Sequence, residues 1–281
     1  MDEITTNNSG LTDAEEALLQ ATLEQAHEGD NRETLPLNSK SLLIDESSSR
    51  FSSAIWFNKI GEQIVTLAGL GGIGSYTAFL LGRLKIGRLI IYDDDIVDNT
   101  NLSGQLFATQ DVGHSKVRGV CRLLRDFAQY YNIISHESKY DGDASATNIM
   151  ICGFDNMRAR KIFYNKWKLH VMRLSEEDRE KCLFIDGRLA AEEFQVFCMR
   201  GSDTYLIQEY ENKWLFDDNE AEATLCSYKQ TSFCANMIAS VIVNLFVNFI
   251  ANQCDPLIER ELPFYTNYDA ERMYLKTEIV W

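Results

Sequence analysis

From Arg50 onward, short apolar runs alternate with segments of helix length, the arrangement that builds a parallel sheet covered by helices. Gln63-Ile-Val-Thr-Leu-Ala68 is a continuous β-rich run suited to burial on both faces, and a helix follows it through Leu84. Arg88-Leu-Ile-Ile-Tyr92 reads as the second strand, residues 132–137 as the third and Asn148-Ile-Met-Ile-Cys152 as the fourth, each separated by one helix-length segment. The expected core is therefore βαβαβ. Beyond it the pattern predicts a helix around 158–170. Strands follow at Cys182-Leu-Phe-Ile-Asp186, Phe194-Gln-Val-Phe-Cys198 and Thr204-Tyr-Leu-Ile207, and then a long apolar helix over 231–251. The fold class is α/β, a doubly wound and mainly parallel sheet with a mixed C-terminal extension.

Before Arg50 the pattern is different. Residues 1–49 hold eleven acidic residues against Arg32 and Lys40, a balance of −9 within a whole-chain charge of −15. Thr12-x-x-Glu15 fits a capping box opening a short amphipathic helix through Leu18, Leu19 and Leu23 that stops near Gly29. An acidic, aromatic-free segment of this kind reads as a solvated extension, with a docking arm as the other reading. The expected division is 1–49 as acidic extension and 50–281 as one domain.

Composition narrows the function classes. With 281 residues, 45% of them apolar, the chain has ample material for a core, which excludes disorder of the whole. An excess of acid is a poor basis for wrapping a phosphate backbone, so nucleic acid is not expected as a bulk ligand. The apolar run 238–250 is too short for a membrane span and contains Ser240, Asn244 and Asn248, so it reads as a buried helix. The start MDEITTNNSG lacks the basic and apolar stretches of a secretory signal, and the cytoplasm is the expected compartment. Seven cysteines with no CxxC argue for reduced thiols and against structural zinc.

The first strand runs directly into Gly69-Leu-Gly71-Gly72-Ile-Gly74, and a helix follows. In that context the first glycine permits a tight turn, the second lets phosphate approach the backbone, and the third lets helix pack on strand. Asp93 ends the second strand at the spacing where an acid hydrogen-bonds a ribose hydroxyl, which makes the fold Rossmann-like and adenosine the expected ligand. The loop alone does not separate dinucleotide oxidoreductases from ATP-using enzymes.

The segment after it does. Asp93-Asp-Asp95-Ile-Val-Asp-Asn-Thr-Asn101-Leu-Ser-Gly-Gln105, then Gly113-His-Ser-Lys116, then Gly153-Phe-Asp155-Asn156-x-x-x-Arg160, resembles the ThiF/MoeB/HesA family, the adenylating domain shared with ubiquitin-activating enzymes. The resemblance covers about 50–255. It implies that Asp93 binds the ribose of ATP and that Gly69, Gly71, Gly72 and Gly74 lie under the phosphates. It further implies that Asp95, Asn101, Gln105 and Lys116 surround the triphosphate and that Asp155 holds Mg²⁺. A helix N-cap is the other reading of Asp155, and an ordinary surface lysine that of Lys116. The chemistry implied is attack of a carboxylate on the α-phosphorus of ATP. It needs no general base, because a carboxylate is already ionised at neutral pH. The implied partner is a small ubiquitin-like or sulfur-carrier protein with a C-terminal glycine tail, and the implied assembly is a homodimer. Cys226, just before the last helix, falls where many members carry a cysteine that takes the activated carboxyl; a packing cysteine is the alternative.

Two departures concern cations. Gly104 stands where the family usually has an arginine before the glutamine. An R-Y-x-R that reaches a neighbouring subunit's ATP reads here Arg50-Phe51-Ser52-Ser53. Arg50, Lys59 and Arg118 are the candidate replacements. A non-catalytic nucleotide-binding scaffold, and more remotely an NAD-dependent oxidoreductase, therefore stay open beside the adenylating enzyme.

Overall fold

The computed structural model describes residues 50–141, 143–216 and 230–278. The helix expected over 12–29, the 1–49 extension and Cys226 lie outside the described residues. Short helix α1 (Phe57–Ile60) precedes strand β1 (Ile64–Ala68), helix α2 (Gly72–Arg83), strand β2 (Arg88–Tyr92), helix α3 (Lys116–Ala128), strand β3 (Ile133–His136) and strand β4 (Ile149–Cys152). Helices α4 (Met157–Val171) and α5 (Glu176–Arg179) lead into strands β5 (Leu183–Ala190) and β6 (Glu193–Arg200). Helices α6 (Thr204–Trp214) and α7 (Ser232–Asn252) and strands β7 (Tyr265–Asp269) and β8 (Tyr274–Glu278) complete the order.

The eight strands among the described residues form one sheet in the order β3-β2-β1-β4-β5-β6-β7-β8. The first five are parallel, and the pairings β5–β6, β6–β7 and β7–β8 are antiparallel. The strand order reverses between β1 and β4, so a crevice opens beyond the carboxyl ends of β1, β2 and β4, the usual ligand position in such sheets. Only Leu183–Asp186 of β5 pairs with β4; Gly187–Ala190 run on past that edge, paired with β6 alone. β5 thereby walls one side of the crevice.

Each face of the sheet has its own core. On one, Leu81, Leu124, Ile238, Phe246 and Ile250 from α2, α3 and α7 cover Val65, Leu67 and Ile151. On the other, Phe163, Tyr164 and Trp167 of α4 and Tyr210 of α6 pack on Met150 and Phe184. The strands are hydrophobic on both sides because both faces are covered.

The βαβαβ core and the helices on either side of it follow the sequence pattern. Residues 204–207 do not: they begin α6. Thr-Tyr-Leu-Ile has strand chemistry, but Ile207 and Tyr210, three positions apart, are the buried pair, which is a helical spacing. The final hairpin β7–β8 was not anticipated, since Tyr265-Thr-Asn-Tyr-Asp269 is largely polar and every residue of β8 is exposed. Helix α7, at 21 residues, extends beyond the apolar run and is long and apolar enough to cross a bilayer, but 61% of an apolar 18-residue window within it is buried in the protein.

Candidate functional site

Three loops meet at the carboxyl edge of the sheet. The glycine loop leaves β1 with Gly69 at φ +84°, and its N–H donates to the Tyr92 carbonyl of β2. Gly153 N–H, leaving β4, donates to the Ala68 carbonyl at 2.9 Å. The two backbones are so close that a Cβ on Gly69 would lie 2.7 Å from the Gly153 carbonyl carbon, and a Cβ on Gly74 would collide with the Gly69 carbonyl oxygen. The first and third glycines are thus required by packing. At Gly71 the space is open, with nothing nearer to a Cβ than Gln105 Nε2 at 3.9 Å. Gly71 provides no side-chain cap to α2, so the N-terminal amides of that helix face the crevice.

Asp93 locks the second loop to the first. Its Oδ2 accepts from Leu70 N–H at 2.6 Å and its Oδ1 from Asp95 N–H at 2.8 Å. Burial raises its proton affinity, and those two N–H groups with the Lys116 charge oppose the rise. Lys116, the first residue of α3, is 7% exposed and donates to Asp95 Oδ2 at 2.7 Å. An exposed surface lysine is therefore excluded: its position at a helix N-terminus is held by a carboxylate. Asn101 closes a capping box with Asp98, its Oδ1 accepting from Asp98 N–H at 3.1 Å. Leu106 N–H donates to buried Ser75 Oγ of α2, which brings Gln105 over the glycine loop. Asp111, which precedes Lys116, is clamped by Arg122 through Nε and Nη2 at 2.8 and 2.7 Å, and those bonds hold its carboxyl below the usual range.

The third loop presents Asp155, which is exposed. It is not the helix cap: Asn156 caps α4, its Oδ1 accepting from Ala159 N–H at 2.8 Å, and Asn156 Nδ2 donates to Asp155 Oδ1. Arg160 fixes the loop from below, donating to the Phe154 carbonyl at 2.7 Å and to Asp186 Oδ1 at 2.7 Å. Asp186 is fully buried on β5. Burial opposes its ionisation, but Arg160 and Arg188 outweigh burial and keep it ionised, and Tyr210 Oη donates to its Oδ2. In the sequence Arg160 stands out only as part of a run; Asp186 and Arg188 on β5 and Tyr210 on α6 carry no local signal, because the cluster forms only when three separate elements, α4, β5 and α6, pack together.

Predicted residues Gly69, Gly71, Gly72, Gly74, Asp93, Asp95, Asn101, Gln105, Lys116 and Asp155 thus sit on these three loops and the helices that start from them. Arg50 does not join them in the described contacts: it is exposed, and the turn after it is pinned by Phe51 stacked on Trp56. Arg118 is engaged with Glu137 at 2.8 Å. Cys182 is buried with its thiol pushed up to about 11 by burial. Among the described residues there is no cluster of three or more metal-ligating side chains. A lone exposed carboxylate suits Mg²⁺, which takes one or two carboxylates and fills its remaining positions with water and phosphate oxygens.

The ThiF family model matches residues 48–278. "Ubiquitin-like modifier-activating enzyme 5" of Culex quinquefasciatus is 31% identical over 122 residues, covering 37% of this chain and 30% of that protein. The chain therefore spans under a third of that relative's length. The crystal structure of PaaA superposes with a TM-score of 0.64 at 14% identity, covering 96% of this chain and 83% of that one. E. coli MccB, solved with ATP, gives 0.54 at 18% identity over 80% of this chain and 66% of its own. The same Microcin C7 biosynthetic enzyme with N-formylated MccA gives 0.56 at 17% identity, over 80% of this chain and 67% of its own.

Proposed function

The chain belongs to the ThiF family, and on that premise we propose that it is an ATP-dependent adenylating enzyme acting on a C-terminal carboxylate. The observation that carries this is the meeting of the open backbone at Gly71, the Asp93–Leu70 bond, the Lys116–Asp95 pair and exposed Asp155 around one crevice. A carboxylate oxygen attacks the α-phosphorus, the bond from that phosphorus to the bridging oxygen breaks, and pyrophosphate leaves with the electron pair. Asp93 receives the ribose hydroxyls; the amides of 71–74 and Lys116 balance phosphate charge that grows toward the leaving group. Asp155 would hold Mg²⁺, which supplies further charge neutralisation when bound.

The acceptor is a small ubiquitin-like protein, by analogy with the relative's name, or a sulfur-carrier protein, with a glycine tail as the motif resemblance implies. A short peptide is the second reading, favoured by the likeness to MccB, which was solved with N-formylated MccA. Transfer to Cys226 would follow by thiolate attack on the acyl carbon with AMP leaving. The reading also carries a homodimer in the cytoplasm.

ATP–pyrophosphate exchange with Mg²⁺ and candidate acceptors tests it, beside Asp155→Ala. Exchange that appears with one acceptor class and vanishes in the variant supports adenylation; ATP binding without exchange for any acceptor favours a scaffold. Cys226→Ser should keep exchange and lose a thiol-sensitive adduct.

A further inference from the structure

Gln230 precedes α7 and forms a parallel bridge with Ala191 at the tip of the β5 wall. That bridge delivers its side chain onto the glycine loop. A Cβ on Gly72 would collide with Gln230 Oε1 and lie 2.7 Å from its Cδ and 2.9 Å from its Nε2, so the whole carboxamide rests on the loop. A Cβ on Gly104 would lie 2.9 Å from Gln230 Cγ and 3.0 Å from its Nε2. Two glycines on separate loops, both buried, thus leave room for one carboxamide. A second carboxamide lies beside it: Gln105 Nε2 faces open Gly71, while Gln105 Oε1 is buried with no hydrogen-bond partner. That oxygen needs a donor, which an ionised phosphate does not offer, so Gln105 can meet phosphate only through Nε2. Gln105 lies near Gly71 and Gln230 against Gly72, the N-cap and first residue of α2, which has no side-chain cap.

We propose that Gln230 and Gln105 form a carboxamide clamp that donates N–H groups to a nucleotide phosphate at Gly71-Gly72, with Gln230 occupying the volume an arginine at position 104 would need. The clamp rests on the nucleotide reading above and adds its phosphate ligands. Neutral donors make weaker bonds to phosphate than guanidinium and gain less at low ionic strength. Gly104 is then a consequence of Gln230 rather than a loss from the site.

The test is ATP affinity with Mg²⁺ by titration calorimetry at low and high salt, with melting of the ligand-free protein as a folding control. Gln230→Ala should weaken ATP about tenfold. Gln230→Glu, isosteric but repelling phosphate, should weaken it further with melting unchanged. Gly104→Arg should lower melting temperature and affinity together, because the arginine meets Gln230. Gly104→Arg/Gln230→Ala should recover both, and its affinity should fall more steeply with salt than the parent's. Parent-like affinity in Gln230→Ala and Gln230→Glu, additive losses in the double variant, or a parent protein that does not bind ATP would each overturn the clamp. Tight ATP binding that depends on Gln230, without exchange for any acceptor, would uphold it and sink adenylation instead.

Discussion

Asp155 and Asp111 carry different duties at the same edge of the sheet. Asp155 is exposed and accepts a hydrogen bond from the neighbouring Asn156 Nδ2, so its removal should leave melting within about 0.5 kcal/mol of the parent while exchange drops by about 100-fold or more. Comparing melting with exchange in Asp155→Ala checks this directly. Asp111 is 3% exposed and holds the loop that leads to Lys116. Its carboxyl is depressed by the Arg122 hydrogen bonds, so the bonded, ionised form is favoured by folding. That stability is complete above the unfolded value near 4 and disappears as pH falls through the lower folded value. Asp111→Asn should therefore cost about 2–3 kcal/mol at pH 7. The gap between variant and parent should close on acidification below pH 4, read as melting temperature against pH; a gap constant down to pH 2 would contradict it.

At the level of elements, the glycine loop contains two kinds of glycine. Gly74 lies against the Gly69 carbonyl, and Gly74→Ala should cost about 3 kcal/mol or more, through displacement of α2 from β1. Gly71 has open space, so Gly71→Ala should melt close to the parent and yet weaken ATP about tenfold; circular-dichroism melts beside calorimetry separate the two. The glycine spacing, the strands β1 to β4 and the acid at the end of β2 were legible because each is written in a contiguous stretch with a fixed period. Residues 204–207 misled because four residues do not distinguish a strand from the first turn of a helix; only Tyr210, fully buried three positions beyond Ile207, does. Strands β7 and β8 left no signal because one is half polar and the other exposed on the sheet's edge. Lys116 could be read as a site residue but not as a buried one, since Asp95 reaches it across a loop of 21 positions. Gln230 was invisible as a site residue: its place comes from β5 overrunning β4, a matter of register.

For the whole molecule, the three loops belong to one folded sheet, so a ligand that bridges them stabilises all of it. At 100 times its dissociation constant, ATP should add about 2.7 kcal/mol and raise the melting temperature by about 5–11 °C, whereas NAD should not. Differential scanning fluorimetry with either nucleotide decides between adenylation and the oxidoreductase reading; a shift with NAD alone would reverse the assignment. The bond between Thr66 and Thr147, across 81 positions, joins β1 to the entry of β4, and Gly153 follows to close against Gly69. On a ribosome adding about 5–20 residues per second, the first loop emerges roughly 4–17 s before its counterpart. During that interval Gly69 lacks the Gly153 backbone against which it packs. A nucleotide can select the finished molecule, but it cannot act as a chaperone for the half that carries its own binding loop.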